Sequence, residues 1–216
     1  MTLFASEESD GLLPHSEVLY RIGPVRNFIF LWRFKVSQAL IQAVLFLINI
    51  VFTFFINMVF LRFFLQWVKA DFYNPLCQFV IKITNFALLP LRRIIPGFFG
   101  LDWAAVVLVI LVQALELALV SLLTGPIPGA LFPISIAAHL VSTLLVLYFM
   151  IILGRALFSF SSTAHRNPIN IALVQLSEPV LRPIRRVIPD MGGFDLSPLV
   201  AIIGIQVILI FLRYWS

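Results

Sequence analysis

The chain has 216 residues, 61% of them hydrophobic and only 12% charged, with a net charge of +5 and a mean hydropathy of +1.05. A soluble domain is about 45–50% apolar and about 25% charged, so this chain has too little polar surface to coat a water-soluble globule and reads as an integral membrane protein. Its basic residues punctuate apolar runs instead of forming a stripe, which points to orientation signals and anionic lipid headgroups and away from direct nucleic-acid binding.

Residues 1–17, MTLFASEESDGLLPHSE, are acidic and polar and lack the apolar core of a signal peptide, so insertion is expected to rest on the spans themselves. Residues 21–35, RIGPVRNFIFLWRFK, carry four cations and have no counterpart later in the chain. We read 1–35 as an N-terminal extension outside the main fold; a native start at Val36 from an alternative start codon is one explanation. A first span is predicted over Val36–Leu61, then an amphipathic stretch after Asn74-Pro75, the motif PLRRIIPG at 90–97, and a second span over Trp103–Leu123. The uncharged TGPIPGALFP at 124–133 is a tight hairpin. A third span over Ile134–Leu153 follows, then a stretch after Asn167-Pro168, the motif PIRRVIPD at 183–190, and a fourth span over Ser197–Trp215. Each span is near the ~20 residues that cross a hydrocarbon core of about 30 Å as a helix. No alternating pattern supports a barrel.

The chain aligns with itself at an offset of 93, without a gap, over 74–113 against 167–206. Asn74-Pro75 falls on Asn167-Pro168, Pro90 on Pro183, Arg92-Arg93 on Arg185-Arg186, Asp102 on Asp195 and Gln113 on Gln206; upstream, Arg62 falls on Arg155. So many Pro, Arg and Asp residues in register mark an internal duplication. The first copy is 36–123 and the second 134–216. Two spans per copy give both copies the same orientation, as parallel tandem repeats about an axis along the membrane normal. The expected fold is an all-α membrane protein with four transmembrane helices, each copy adding an interfacial amphipathic helix and a PxRRxIP elbow.

Asn-Pro is a helix start, with Asn as the cap and Pro in the first turn. The apolar residues Leu76, Val80, Ile83 and Ala87, and Ile169, Leu173, Leu176 and Val180, recur at spacings of three and four. Such short one-sided helices suit the interface plane, and Pro90 and Pro183 are expected to stop or kink them. Asp102 and Asp195 stand at the starts of the next spans, either capping them or pairing with the nearby arginines. For Arg92, Arg93, Arg185 and Arg186 two readings stay open. One is topology and structural pairing; the other is a multi-donor site for phosphate, carboxylate, lipid headgroups or a partner.

The two repeat linkers hold ten cations between them, and the hairpin holds none. That places the linkers in the cytoplasm and the hairpin and termini on the periplasmic side. The four cations of 21–35 disagree with that assignment.

No HExxH, GxSxG, P-loop or dinucleotide fingerprint is present, so an enzyme is not expected. No metal-ligand cluster is seen, and Cys77, the lone cysteine, is read as packing. His15 and His165 are tail and loop residues. His139 is a structural histidine or, less simply, a haem or proton ligand. No cofactor is predicted otherwise. Glu116 is an ionisable group inside a span, which is expensive there. With Gln113 and Gln206 it forms an intramembrane polar seam that serves as interhelical glue or lines an ion path, the latter within a homo-oligomer.

The stretches LQWVKADFYNPLCQFVIKITNFALLPLRRIIPGFFGLD and RNPINIALVQLSEPVLRPIRRVIPDMGGFD resemble the two halves of the YggT family, whose relatives include YlmG and plastid proteins. The resemblance covers about residues 38–216. It implies a bacterial inner-membrane protein, or more distantly a thylakoid one. Bacterial members are associated with osmotic-stress tolerance, potassium uptake, division or envelope shape, and plastid relatives with cytochrome haem maturation and nucleoid distribution. The resemblance supplies no catalytic residues. The reading it favours is a non-enzymatic inner-membrane protein assisting osmotic or potassium homeostasis or envelope organisation. The alternatives are an oligomeric cation conduit and a membrane assembly factor for division or cytochrome complexes.

Overall fold

Asn-Pro pairs, long apolar runs and a central Gly-Pro hairpin translate into helices throughout the described part of the chain. A computed structural model describes residues 15–95, 97, 102–126, 128–159, 167–188 and 195–213, with side chains from residue 36 onward except 37 and 159. The helices are α1 (His15–Trp67), α2 (Pro75–Ile94), α3 (Trp103–Thr124), α4 (Phe132–Ser159), α5 (Pro168–Val187) and α6 (Ser197–Leu212). Two compact units divide the chain, 1–46 and 47–216. In the first, Leu40 and Phe46 are exposed on α1.

Among the described residues, three helical stretches are long and apolar enough to cross a membrane: Gln38–Trp67, Trp103–Thr124 and Phe132–Phe158. The expected count was four. The last helix, α6, is apolar but has 16 residues, short of the ~20 a span needs; 214 and 215, the end of the expected span, lie outside the described residues. The first span also runs six residues past its expected end at Leu61, which carries Arg62 into the helix.

Both Asn-Pro pairs start helices as their chemistry predicts. The Asn74 and Asn167 side chains accept the Leu76 and Ile169 N–H groups, each at 2.9 Å, with a proline in the first turn. The prolines farther along do not stop these helices. Pro90 lies inside α2, and Pro179 and Pro183 lie inside α5. Leu88 and Leu91 pack on either side of Pro90, and Leu181 and Ile184 on either side of Pro183. Full burial of Leu88 and of Leu181, at about 1.5–3 kcal/mol each, with a partly buried Leu91 or Ile184 beside it, offsets much of the ~3 kcal/mol cost of each adjacent proline. The arginine pairs consequently sit in the last helical turns and not in a loop, where they complement the negative end of the helix dipole.

Three buried clusters hold residues 47–216 together. One joins Ile56 and Val59 of α1, Leu88 of α2, and Ala104, Ala105 and Leu108 of α3. A second joins Ile152 of α4, Leu181 of α5, and Ala201 and Ile205 of α6. Val59 and Ile152, Leu88 and Leu181, and Leu108 and Ala201 are each 93 residues apart. The third cluster brings Leu61, Leu65, Cys77 and Val80 against Leu147, Ile151, Ala172 and Leu176, uniting the two halves. The stripe on α2 is turned from its expected line: Cys77, Val80, Thr84 and Leu88 are buried, whereas Phe79 and Phe86 are exposed.

Candidate functional site: two arginine ties and an intramembrane carboxyl

Arg62 and Arg155 lie near the C-terminal ends of α1 and α4 and reach the amphipathic helix that follows. Arg62 Nη1 donates to Thr84 Oγ1 at 2.7 Å and Asn85 Oδ1 at 2.8 Å. Arg155 Nη1 donates to Ser177 Oγ at 2.7 Å and Glu178 Oε1 at 3.2 Å. Thr84 and Ser177, and Asn85 and Glu178, are again 93 apart.

The arginine pairs divide their work. Arg92 donates through Nε and Nη2 to Asp102 at the start of α3. Arg185 donates from Nε to Asp195 Oδ2 at 2.9 Å, with Nη2 at 2.7 Å, and from Nη1 to Glu178 Oε1 at 3.0 Å. Arg93 and Arg186 are exposed, and among the described residues neither makes an ion pair. The four therefore do not act as one set: adjacent helical positions point about 100° apart, so only one of each pair can reach the aspartate.

Asp102 precedes α3 but its side chain makes no capping bond; its carboxylate, almost fully buried, is committed to Arg92. Asp195 does both jobs, since Oδ1 accepts the Ser197 N–H at 2.9 Å. Burial works against the Asp195 carboxylate, but hydrogen bonds from Ser197 and Arg185 outweigh it and hold its pKa below the ordinary value. Burial likewise opposes the charge on Arg185, and the bonds to Asp195 and Glu178 still raise its pKa. Burial pushes the Cys77 thiol up, in keeping with a packing residue.

Inside the span, Glu116 is 4% exposed. It accepts from Gln113 Nε2 at 3.0 Å and from Asn49 Nδ2 of α1 at 3.3 Å. Gln206 is exposed on α6 and so departs from the expected seam. Copy two has Leu209 where copy one has Glu116, so no carboxylate draws Gln206 inward. Asn49 takes its place; an amide in so apolar a run was the signal for it. The His139 Nδ1 donates to the Ser135 carbonyl at 3.0 Å. A bis-histidine haem would need a second such ring, and His139 is the one histidine whose side chain is described. Among the described residues no group of three or more His, Cys, Asp or Glu is placed to hold a metal.

Spanning-length helices, helix-end arginine ties and a sequence unit written twice define a helical membrane protein with a doubled motif. The chain belongs to the CCB3/YggT family, whose model matches it twice, over 41–123 and 134–216. It is 35% identical over 163 residues to the uncharacterized protein YggT of Escherichia coli K12, covering 76% of this chain and 85% of that one. An uncharacterized protein of Pseudomonas aeruginosa is 38% identical over 157 residues, 71% of this chain and 80% of its own. One from Vibrio alginolyticus is 40% identical over 164 residues, 74% and 88% of the two chains. None of these relatives carries an enzyme name. No solved structure matches the chain.

Proposed function

We propose that the protein is a non-enzymatic scaffold of the bacterial inner membrane that assists osmotic and potassium homeostasis or envelope organisation. The observation that carries this reading is the division of each arginine pair. Arg92 and Arg185 brace their helices against the next, which leaves Arg93 and Arg186 exposed at rigid helix ends. A guanidinium held there is presented to an anionic partner group or lipid surface. The same proposal includes four crossings in two parallel copies, with α6 as the fourth and α2 and α5 in the interface. The cation distribution supports cytoplasmic linkers, with the hairpin and termini in the periplasm.

Complementation of a strain lacking the protein, under osmotic upshift and potassium limitation, tests this reading. R93K/R186K is expected to restore growth and R93E/R186E to fail at equal protein levels. Full rescue by the glutamate pair would sink it. Glu116, with its Asn49 and Gln113 partners, favours a second reading, a cation path through an oligomer. Potassium flux from reconstituted protein that E116Q abolishes would replace the scaffold with that conduit.

A further inference from the structure

At the Trp67 end of α1 lies a cleft of about 350 Å³ that has Arg62, Lys69 and Arg92 on its wall beside Leu65, Phe72 and Val80. Among the described residues, three cations and no carboxylate line it. In copy two the corresponding arginines are neutralised. Glu178 accepts from both Arg155, at 3.2 Å, and Arg185, at 3.0 Å, and Asp195 completes the chain. Copy one has Asn85 at the position of Glu178. Asn85 accepts a hydrogen bond from Arg62 but brings no charge. Asp102 answers Arg92 alone among the ion pairs. Asp71, near Cys77, accepts the Tyr73 N–H at 3.0 Å and is not on the wall. Arg62 is 8% exposed; Asp102, bonded to Arg92, acts on it only through space, and a guanidinium that deeply buried with no carboxylate bonded to it is costly.

A second observation concerns Lys69. Helix α1 ends in a Schellman turn, with the Ala70 N–H on the Leu65 carbonyl at 2.9 Å and the Lys69 N–H on the Gln66 carbonyl at 3.1 Å. That turn puts Lys69 at φ 52, the left-handed position usually given to glycine. A lysine there costs about 1 kcal/mol. The turn sets the Lys69 backbone at the cleft, whose wall the residue lines, and strain of this kind is characteristic of ligand sites.

We propose that this cleft binds the phosphate of an anionic phospholipid from the surrounding leaflet. The headgroup sits among Arg62, Lys69 and Arg92, and the first acyl carbons run along Leu65, Phe72 and Val80. The cleft adjoins the end of the Gln38–Trp67 span, the depth at which headgroups lie and Trp is favoured. A soluble anion would satisfy the cations and leave the apolar wall bare; the mixed lining selects an amphiphile. The site is separate from Arg93 and Arg186, so it stands or falls without the scaffold reading.

Native mass spectrometry of the full chain released from nanodiscs tests it, with phosphatidylglycerol compared against phosphatidylcholine. The wild type is expected to retain one phosphatidylglycerol through delipidation and no phosphatidylcholine. N85E supplies the carboxylate that copy two already has, and is expected to lower retention about tenfold or more. K69A is expected to lower it about fivefold, one cation's share. The unfolding midpoint of each variant in neutral detergent verifies its fold. Equal retention of the two lipids, or unchanged retention in both folded variants, overturns the proposal. So does inorganic phosphate displacing the lipid at millimolar concentration, which would make the cleft a soluble-anion site.

Discussion

In copy two, cation and carboxylate alternate from Arg155 through Glu178 and Arg185 to Asp195. In copy one the corresponding path runs from Arg62 to the neutral Asn85, and only Arg92 ends on a carboxylate, Asp102. The backbone frame is the same: an Asn-capped helix with an internal proline, a basic last turn, and an aspartate before the next helix. The difference lies in how charge is closed. A duplicated unit can keep its helix starts and its brace while one substitution, Asn for Glu, leaves a positive cleft in one copy. Burial differs as well. The Asp102 side chain is 5% exposed and that of Asp195 is 34% exposed, so the copy with fewer carboxylates has the more deeply buried one.

That burial sets the largest expected contrast between the copies. R92A strands the buried Asp102 carboxylate and should cost about 3 kcal/mol of unfolding free energy. R185A leaves Asp195 with water and the Ser197 N–H, and should cost about 1 kcal/mol after solvent screening. Equal losses, read from denaturant titration in neutral detergent micelles, would remove the distinction.

The caps give the next contrast. Asn74 not only caps α2 but also donates from Nδ2 to the Pro168 carbonyl at the start of α5, whereas among the described residues the Asn167 side chain caps its own helix and bonds no other. N74A should lose about 2 kcal/mol and N167A about 1 kcal/mol. The same titration decides it, and a larger loss in N167A would contradict the link between the halves.

How far the sequence foretold this depends on the physics involved. Asn-Pro helix starts were legible because capping is local, and the duplicated register because Pro, Arg and Asp recur at one offset. Passage of α2 through Pro90 was not, because the leucines that offset much of the proline's cost find their partners on other helices. The division between Arg92 and Arg93 depends on which neighbour points at Asp102, a matter of helix phase. The role of Glu178 has no local signal, because the arginine that reaches it, Arg155, lies on a different helix. Gln206 was matched to Gln113 by register, and register says nothing of whether a carboxylate waits on the other side.

A smaller effect separates the copies by pH. The folded-state pKa of Asp195 lies below its ordinary value, which is about 3.9 in an unfolded chain. Its contribution is therefore fully present above that unfolded value and is lost as pH falls through the depressed folded one. With the side chain a third exposed, the stake is under about 1 kcal/mol. Wild type should exceed D195N in stability at pH 7, and the gap should close as pH falls through the depressed folded-state value. A gap that stays constant across that range would show that Asp195 acts through packing and not charge.

Copy one lacks a counter-charge at the place where copy two has Glu178. The unfolding free energy of N85E in delipidated neutral detergent, with and without R62A, decides whether this is so. The added carboxylate should stabilise the protein by about 0.5–1 kcal/mol, and salt or R62A should remove most of that gain. A loss of stability in N85E, or a gain indifferent to Arg62 and to salt, would overturn it.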